Sequence, residues 1–320
     1  MHYKVSTGYV RAVDGISFHV DKGEVLGIVG ESGCGKSSLA LTLLKLLPSN
    51  GEILGGSIKV GDIDVTDMKD SDVRTRVRWK EIAMIPQGAM NSLNPVFKVG
   101  NQIGEVFQVH NHIQKRDALE RAKALLTLVG IDPSRANYYP HELSGGMKQR
   151  AMIAMALALN PSVLIADEPT TALDVVVQAG IIKLLLALRK EYNMAIILIS
   201  HDLALVAQMS DLIAIMYAGK FAEYGDSMQV YHDPLHPYTI GLLGAFADIR
   251  APREELVSIP GSPPDLVAPP TGCRFNPRCA YAREVCRKEE PAFEEVSPGH
   301  FVSCHLWKEV KELRKGGGSA

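Results

Sequence analysis

Gly30, Glu31, Ser32, Gly33, Cys34, Gly35, Lys36 and Ser37 follow the spacing G-x-x-x-x-G-K-[ST]. Glycines at these positions let the backbone curl until several N–H groups face one anion. Lys36 adds a point charge suited to the β- and γ-phosphates of a nucleotide, and the Ser37 hydroxyl is a ligand type for Mg²⁺. A second phosphate cradle lies over a hundred residues further on. Ser144, Gly145 and Gly146 form a turn before a predicted helix, and the unpaired N–H groups of such a turn make an anion site. The same run then delivers two adjacent carboxylates, Asp167 and Glu168, after the apolar residues 163–166. A carboxylate pair at a strand end suits a metal ion and a water. Read alone, residues 143–174 handle both a phosphate and its cation, which leaves the duplicated cradle to be explained.

The elements around these residues give them a common frame. Residues 25–29 read as a short buried strand, and residues 38–47 as the helix after the first cradle. Gln87 follows the apolar residues 82–86, and His201 follows the apolar residues 195–199. An isolated Gln at such a place is usually a surface hydrogen-bonder, and an isolated His a structural one. Here the first cradle, Gln87, Asp167-Glu168 and His201 all fall at the ends of predicted strands. Strands alternating with helices imply a mainly parallel sheet covered on both faces, and sites on such sheets gather at the carboxyl ends of strands. Residues 98–135 have a helical pattern with Gly130 as C-cap, and read as an insertion. Residues 10–20, 56–60, 212–216 and 220–224 read as further strands, and residues 70–78, 145–160 and 175–191 as further helices.

Bulk properties narrow the class. The 320 residues suffice for a large core and more than one domain. Lys and Arg number 34 against 36 Asp and Glu, which argues against a nucleic-acid binder relying on bulk positive charge. No apolar run is long enough to span a bilayer, and the first residues lack the apolar core of a signal peptide, so a cytoplasmic location is expected. The five cysteines agree, since four of them cluster late in the chain rather than forming a framework throughout it.

Together these motifs resemble the nucleotide-binding subunit of an ABC transporter. The Walker A loop is residues 30–37, with Ser38 beside it, and Gln87 matches the Q-loop glutamine. The family signature LSGGQ stands as Leu143, Ser144, Gly145, Gly146 and Met147, with Met in the place of Gln. Walker B ends at Asp167, Glu168 matches the catalytic glutamate, the D-loop ends at Asp174, and His201 matches the switch histidine. The resemblance implies an α/β P-loop (RecA-like) core with an antiparallel β subdomain and a helical subdomain. It covers residues 1–230, with the helical part near 88–155. It also implies two subunits dimerised head to tail, so that Ser144, Gly145, Gly146 and Met147 meet the ATP of a partner while residues 30–38 hold their own. Mg²⁺ would be held through Ser37, Gln87 and Asp167. Glu168 would activate water, His201 would contact the γ-phosphate, and Asp174 would organise the dimer seam. An aromatic residue stacks on adenine in this family. Tyr3 is the first choice and Tyr9 the rival.

Residues 231–314 narrow the resemblance to the oligopeptide/dipeptide permease ATPases, and most to the first of the two paired subunits. The His236, Pro237, Tyr238, Thr239 run carries it, with Pro277, Arg278 and the late cysteines. The implied assembly contains a second homologous ATPase, two transmembrane permease subunits and an extracellular solute-binding protein, with this chain peripheral on the cytoplasmic face. Peptides are the first expectation for cargo, with oligosaccharides and nickel as alternatives. A soluble ABC ATPase acting outside transport is the rival class. Cys273, Cys279, Cys286 and Cys304 are separated by five, six and seventeen residues, which is no C-x-x-C ribbon. They fit a four-cysteine site in a small C-terminal domain. Relatives with this pattern carry a [4Fe–4S] cluster, and zinc, or free or disulfide-bonded cysteines, are the alternatives. Residues 315–320 read as a tail or linker.

Overall fold

The computed structural model describes residues 1–244 and 259–317. The expected C-terminal extension and tail therefore lie partly outside the described residues. The chain divides into two compact units. One comprises Met1–His19, Val25–Gly56 and Ile199–Ala320, and the other Val20–Glu24 and Ser57–Leu198. These units cut the chain differently from a boundary at residue 230.

The first unit is built on the strand Val25–Val29, which is buried along its whole length. An unbroken apolar run of this kind is what a strand covered on both faces requires. It pairs in parallel with Leu212–Tyr217, which turns back antiparallel into Lys220–Asp226. Two late strands continue the same sheet. His300–Val302 pairs antiparallel with Lys220–Asp226, and Glu294–Ser297 pairs with His300–Val302. Among the described residues the expected small cysteine-rich domain is thus not a compact unit of its own. Its strands cover the edge of Lys220–Asp226, where unpaired backbone groups would otherwise be exposed. A separate three-stranded sheet has the order Gly8–Val10, His2–Val5, Gly51–Glu52.

The strand expected over residues 10–20 does not form, since Gly8–Val10 ends where it should begin. The backbone N–H groups of Arg11, Ala12, Val13 and Asp14 donate to Leu266, Val10, Met1 and Gly219 in turn. Four acceptors on different segments satisfy the backbone without a ladder, and the β-branched pattern alone could not reveal them.

In the second unit Ile82–Ile85 and Val163–Asp167 pair in parallel, with Ile82 opposite Val163, and residues 195–198 of the strand Ala195–Ser200 follow in the order. A hairpin joins Lys59–Val60 to Ile63–Asp64. The expected insertion forms two helices, Val99–Asn111 and Lys115–Leu128, which pack on each other and on Gly145–Ala156. Val106, Phe107, Ala118 and Ala158 form a core there, with Trp79, Leu125 and Met155 against it. The small Ala118 lets the two helices approach closely, and Phe107 packs in the same cluster. No helix among the described residues is long and apolar enough to cross a membrane.

Candidate active site

In the first unit the chain leaves Val25–Val29, curls through residues 30–35 and enters the helix Lys36–Leu43. Gly35 caps that helix with φ 109°, and a Cβ there would lie 2.0 Å from the Ala12 carbonyl oxygen. Only glycine allows both the dihedral and the approach. Lys36 is buried, and its Nζ donates to the carbonyl oxygens of Gly30 at 2.7 Å and Glu31 at 2.9 Å. The loop thus folds around its own cation, with Ser37 exposed on the first turn beside it. Cys34 is buried in the loop, and burial pushes its thiol pKa up, which favours the protonated form. The Tyr3 hydroxyl donates to Ser38 Oγ at 2.9 Å, which ties the first strand to the helix after the cradle. Tyr9 is 41% exposed on the neighbouring strand. His201 is exposed directly after Ala195–Ser200.

In the second unit Val163–Asp167 ends in Asp167, which is 2% exposed. Glu168 follows with φ 47°, an uncommon left-handed backbone for a glutamate. Its Oε2 accepts from Gln87 Nε2 at 3.0 Å and from Thr171 Oγ1 at 2.9 Å. Gln87, which looked isolated in the sequence, is therefore in direct contact with Glu168. Backbone strain held by specific hydrogen bonds is a mark of functional positions. Ser144 caps the helix Gly145–Ala156 by accepting from the Met147 N–H at 3.3 Å. A Cβ on Gly146 would lie 2.7 Å from Val177 Cγ1, so the glycine admits the start of the next helix. Asp174 caps that helix, Val175–Tyr192, by accepting from the Val177 N–H at 2.9 Å.

The first unit also holds residues whose partners the sequence did not disclose. Glu223 is 0% exposed. Its carboxylate accepts from the backbone N–H groups of Leu235 at 2.8 Å and His236 at 3.0 Å, and contacts His300 Nε2 at 2.8 Å. This carboxylate fixes the entry to the helix Pro237–Gly244. His236 Nδ1 accepts from the Tyr238 N–H at 3.0 Å, and its ring also bonds the Ser303 backbone. Burial lowers its pKa to about 4. The Tyr238 hydroxyl accepts from the Glu31 N–H at 2.9 Å. Arg278 clamps the Glu31 carboxylate with two bonds, Nη1 to Oε2 at 2.6 Å and Nη2 to Oε1 at 2.9 Å. The H-P-Y-T run and Arg278 stood out in the sequence, but their target, Glu31, is more than two hundred residues away.

Cys273, Cys279, Cys286 and Cys304 are all free thiols and line one narrow cavity of about 10 Å³ with His236 and Phe275. Burial pushes Cys273 up to about 11 and Cys304 up to about 12, and neighbouring thiols add to both. Among the described residues no group of three or more His, Cys, Asp or Glu is arranged to hold a metal ion. The four thiols thus share a cavity without forming a finished ligand set.

Residues 13–171 match the ABC transporter family, and residues 222–286 match the C-terminal region of the oligopeptide/dipeptide transporter family. The cassette fold appears in solved relatives. The ATP-binding cassette MJ0796, solved as a dimer in a post-hydrolysis state with ADP and Pi, is 26% identical with a TM-score of 0.62, over 71% of this chain and 95% of that one. The dipeptide transport ATP-binding protein DppD of Escherichia coli is 48% identical, over 95% of this chain and 94% of its own length. The oligopeptide transport ATP-binding protein OppD of the same organism is 46% identical, over 97% and 91%. The chain belongs to the ATP-binding subunits of the oligopeptide/dipeptide ABC transporters.

Proposed function

We propose that this chain hydrolyses ATP to power the import of di- and oligopeptides through a membrane permease. The observation that carries this reading is the 46–48% identity to dipeptide and oligopeptide transport ATP-binding proteins over nearly the whole chain. Those relatives favour peptides over the oligosaccharide and nickel alternatives, and transport over a soluble role.

The roles follow from the chemistry of each residue. Backbone N–H groups of residues 30–38 cradle the phosphates, and Lys36 exchanges its loop carbonyls for phosphate oxygens. Tyr3 is the adenine-stacking residue, fixed by its bond to Ser38. Ser37, Gln87 and Asp167 would hold Mg²⁺, which would supply charge stabilisation for the transferring phosphoryl group. A buried aspartate at a strand end is a fitting donor for that ion. Glu168 polarises the attacking water, and its bonds from Gln87 and Thr171 aim the carboxylate. His201 contacts the γ-phosphate. Positioning and charge stabilisation dominate phosphoryl transfer, so preset geometry is the main contribution of these residues.

The two cradles serve two nucleotides. In a head-to-tail pair Ser144, Gly145, Gly146 and Met147 meet the partner's ATP, while Asp174 and the exposed Val175 and Val176 after it lie at the seam. Backbone donors carry the contact, so Met in place of the family's Gln costs only a side-chain contribution. The partner is a second homologous ATPase, and the pair sits on the cytoplasmic face beneath two permease subunits served by a solute-binding protein. Val96, 70% exposed, and Phe97, 55% exposed, follow the loop after Gln87 and offer the permease an apolar contact.

Cys273, Cys279, Cys286 and Cys304 would hold a [4Fe–4S] cluster, with zinc as the alternative. Four thiols on one cavity are the donor set that either group takes, and deprotonation on binding would reverse the upward shifts of Cys273, Cys279 and Cys304. The group would act as a structural staple. Anaerobic purification tests it, since a brown protein with iron and sulfide supports the cluster and a colourless zinc protein overturns it.

The functional reading is tested by ATP-dependent peptide uptake into vesicles carrying the assembled transporter. Uptake that stops in Lys36→Ala supports it. Uptake of oligosaccharide with no peptide uptake contradicts it.

A further inference from the structure

We propose that Arg278 and Tyr238 are positioning residues for the phosphate loop, so that the C-terminal segment sets the affinity of the site for nucleotide. The inference rests on the ATP reading given above. All three polar groups of Glu31 are engaged. Its N–H donates to Tyr238, its carbonyl oxygen accepts from Lys36, and its carboxylate is forked by Arg278. A path of direct contacts therefore runs from Arg278 through Glu31 to the lysine that meets the phosphates.

The support behind these contacts is rigid. Arg278 is buried, its Nε donates to the Pro260 carbonyl at 2.8 Å, and its guanidinium lies 5.7 Å from the Tyr217 ring centre and 6.0 Å from that of Phe275. Tyr238 is 0% exposed, 4.6 Å from Tyr217 and 5.4 Å from Phe275 between ring centres. A bidentate guanidinium–carboxylate pair on an aromatic bed fixes orientation as well as distance. A segment that only needed anchoring could use any surface of the sheet. This one grips the second residue of the phosphate loop by backbone and side chain together. A loop already held in its binding shape loses less entropy when nucleotide arrives.

The test is titration of the full chain with a fluorescent ATP analogue and Mg²⁺, using Arg278→Ala, Tyr238→Phe, Glu31→Gln and the double variant Arg278→Ala/Glu31→Gln. Tyr238→Phe keeps the buried ring and removes only the acceptor, and Glu31 is partly exposed, so neither variant depends on the fold surviving a cavity. Arg278→Ala is expected to weaken binding about tenfold, and the double variant no further than the worse single one, because contacting residues are non-additive. In the assembled transporter KM for ATP should rise while kcat at saturating ATP stays within about twofold, a split that a purely structural loss would not give. Wild-type affinity in Tyr238→Phe and Glu31→Gln overturns the proposal, whether or not Arg278→Ala folds. Lys36→Ala separates the two levels. If it binds nucleotide as well as wild type, the ATP reading itself fails. If it loses binding while the other variants keep it, only the positioning role fails.

Discussion

His236 should make the first unit lose stability as the pH falls, by an amount that can be worked out. Its ring is buried, accepts from the Tyr238 N–H at Nδ1 and bonds the Ser303 backbone, and burial brings its pKa from 6.5 to about 4. The unfolded chain takes up a proton near pH 6.5, whereas the folded chain resists protonation until about 4. The stability is therefore fully present above the unfolded value and is lost as the pH drops toward the folded one. A gap of roughly 2.5 pH units at about 1.4 kcal/mol each gives a loss of about 3 kcal/mol, of which about 2 kcal/mol has gone by about pH 5. The assay is urea unfolding at about pH 7.5 and about pH 5. The chain has two tryptophans, Trp79 in the second unit and Trp307 in the first, so Trp79→Phe leaves a fluorescence signal confined to the first unit. His236→Asn in that background keeps an acceptor for the Tyr238 N–H but cannot be protonated. Every other titratable side chain is present in both proteins. The parent should lose about 2 kcal/mol more than His236→Asn between the two pH values. Equal losses would show that His236 does not carry this acid sensitivity.

Glu223→Ala leaves three buried donors without their acceptor and should lower unfolding free energy by about 3–5 kcal/mol in the same assay, with Glu223→Gln costing less. Gly35→Ala should abolish nucleotide binding, measured by fluorescent ATP titration, because the Ala12 carbonyl occupies the space of a Cβ. Ser144→Ala removes the cap on Gly145–Ala156 and should cost about 1 kcal/mol in urea unfolding. On the proposed role of Ser144 at the partner's ATP, loss of the cap that holds the turn should also slow steady-state hydrolysis in the assembled transporter.

Local pattern carried much of this structure. The apolar run at Val25–Val29 and the glycine spacing after it announce strand, loop and helix, because burial and backbone sterics act within a few residues. Val163–Asp167 and its carboxylates were legible for the same reason. The bond between Gln87 and Glu168 was not, because it depends on two parallel strands set side by side. Residues 10–20 misled, since alternation predicts a ladder only where a partner strand is available. The C-terminal strands were hidden by chain distance. Nothing near Glu294–Ser297 or His300–Val302 shows that they extend the sheet beside Lys220–Asp226. The cysteine spacing indicated a shared site, and the thiols do share one cavity, but spacing carries no distances.

On the proposed mechanism, Glu168 lets the site turn over ATP rather than merely bind it. The most direct measurement is steady-state ATP hydrolysis by the assembled transporter carrying Glu168→Gln, with ATP binding measured on the same preparation. The amide keeps the size of the side chain but cannot polarise a water as the carboxylate does. Binding should be retained while turnover falls by roughly a hundredfold or more. Undiminished hydrolysis in Glu168→Gln would contradict the account.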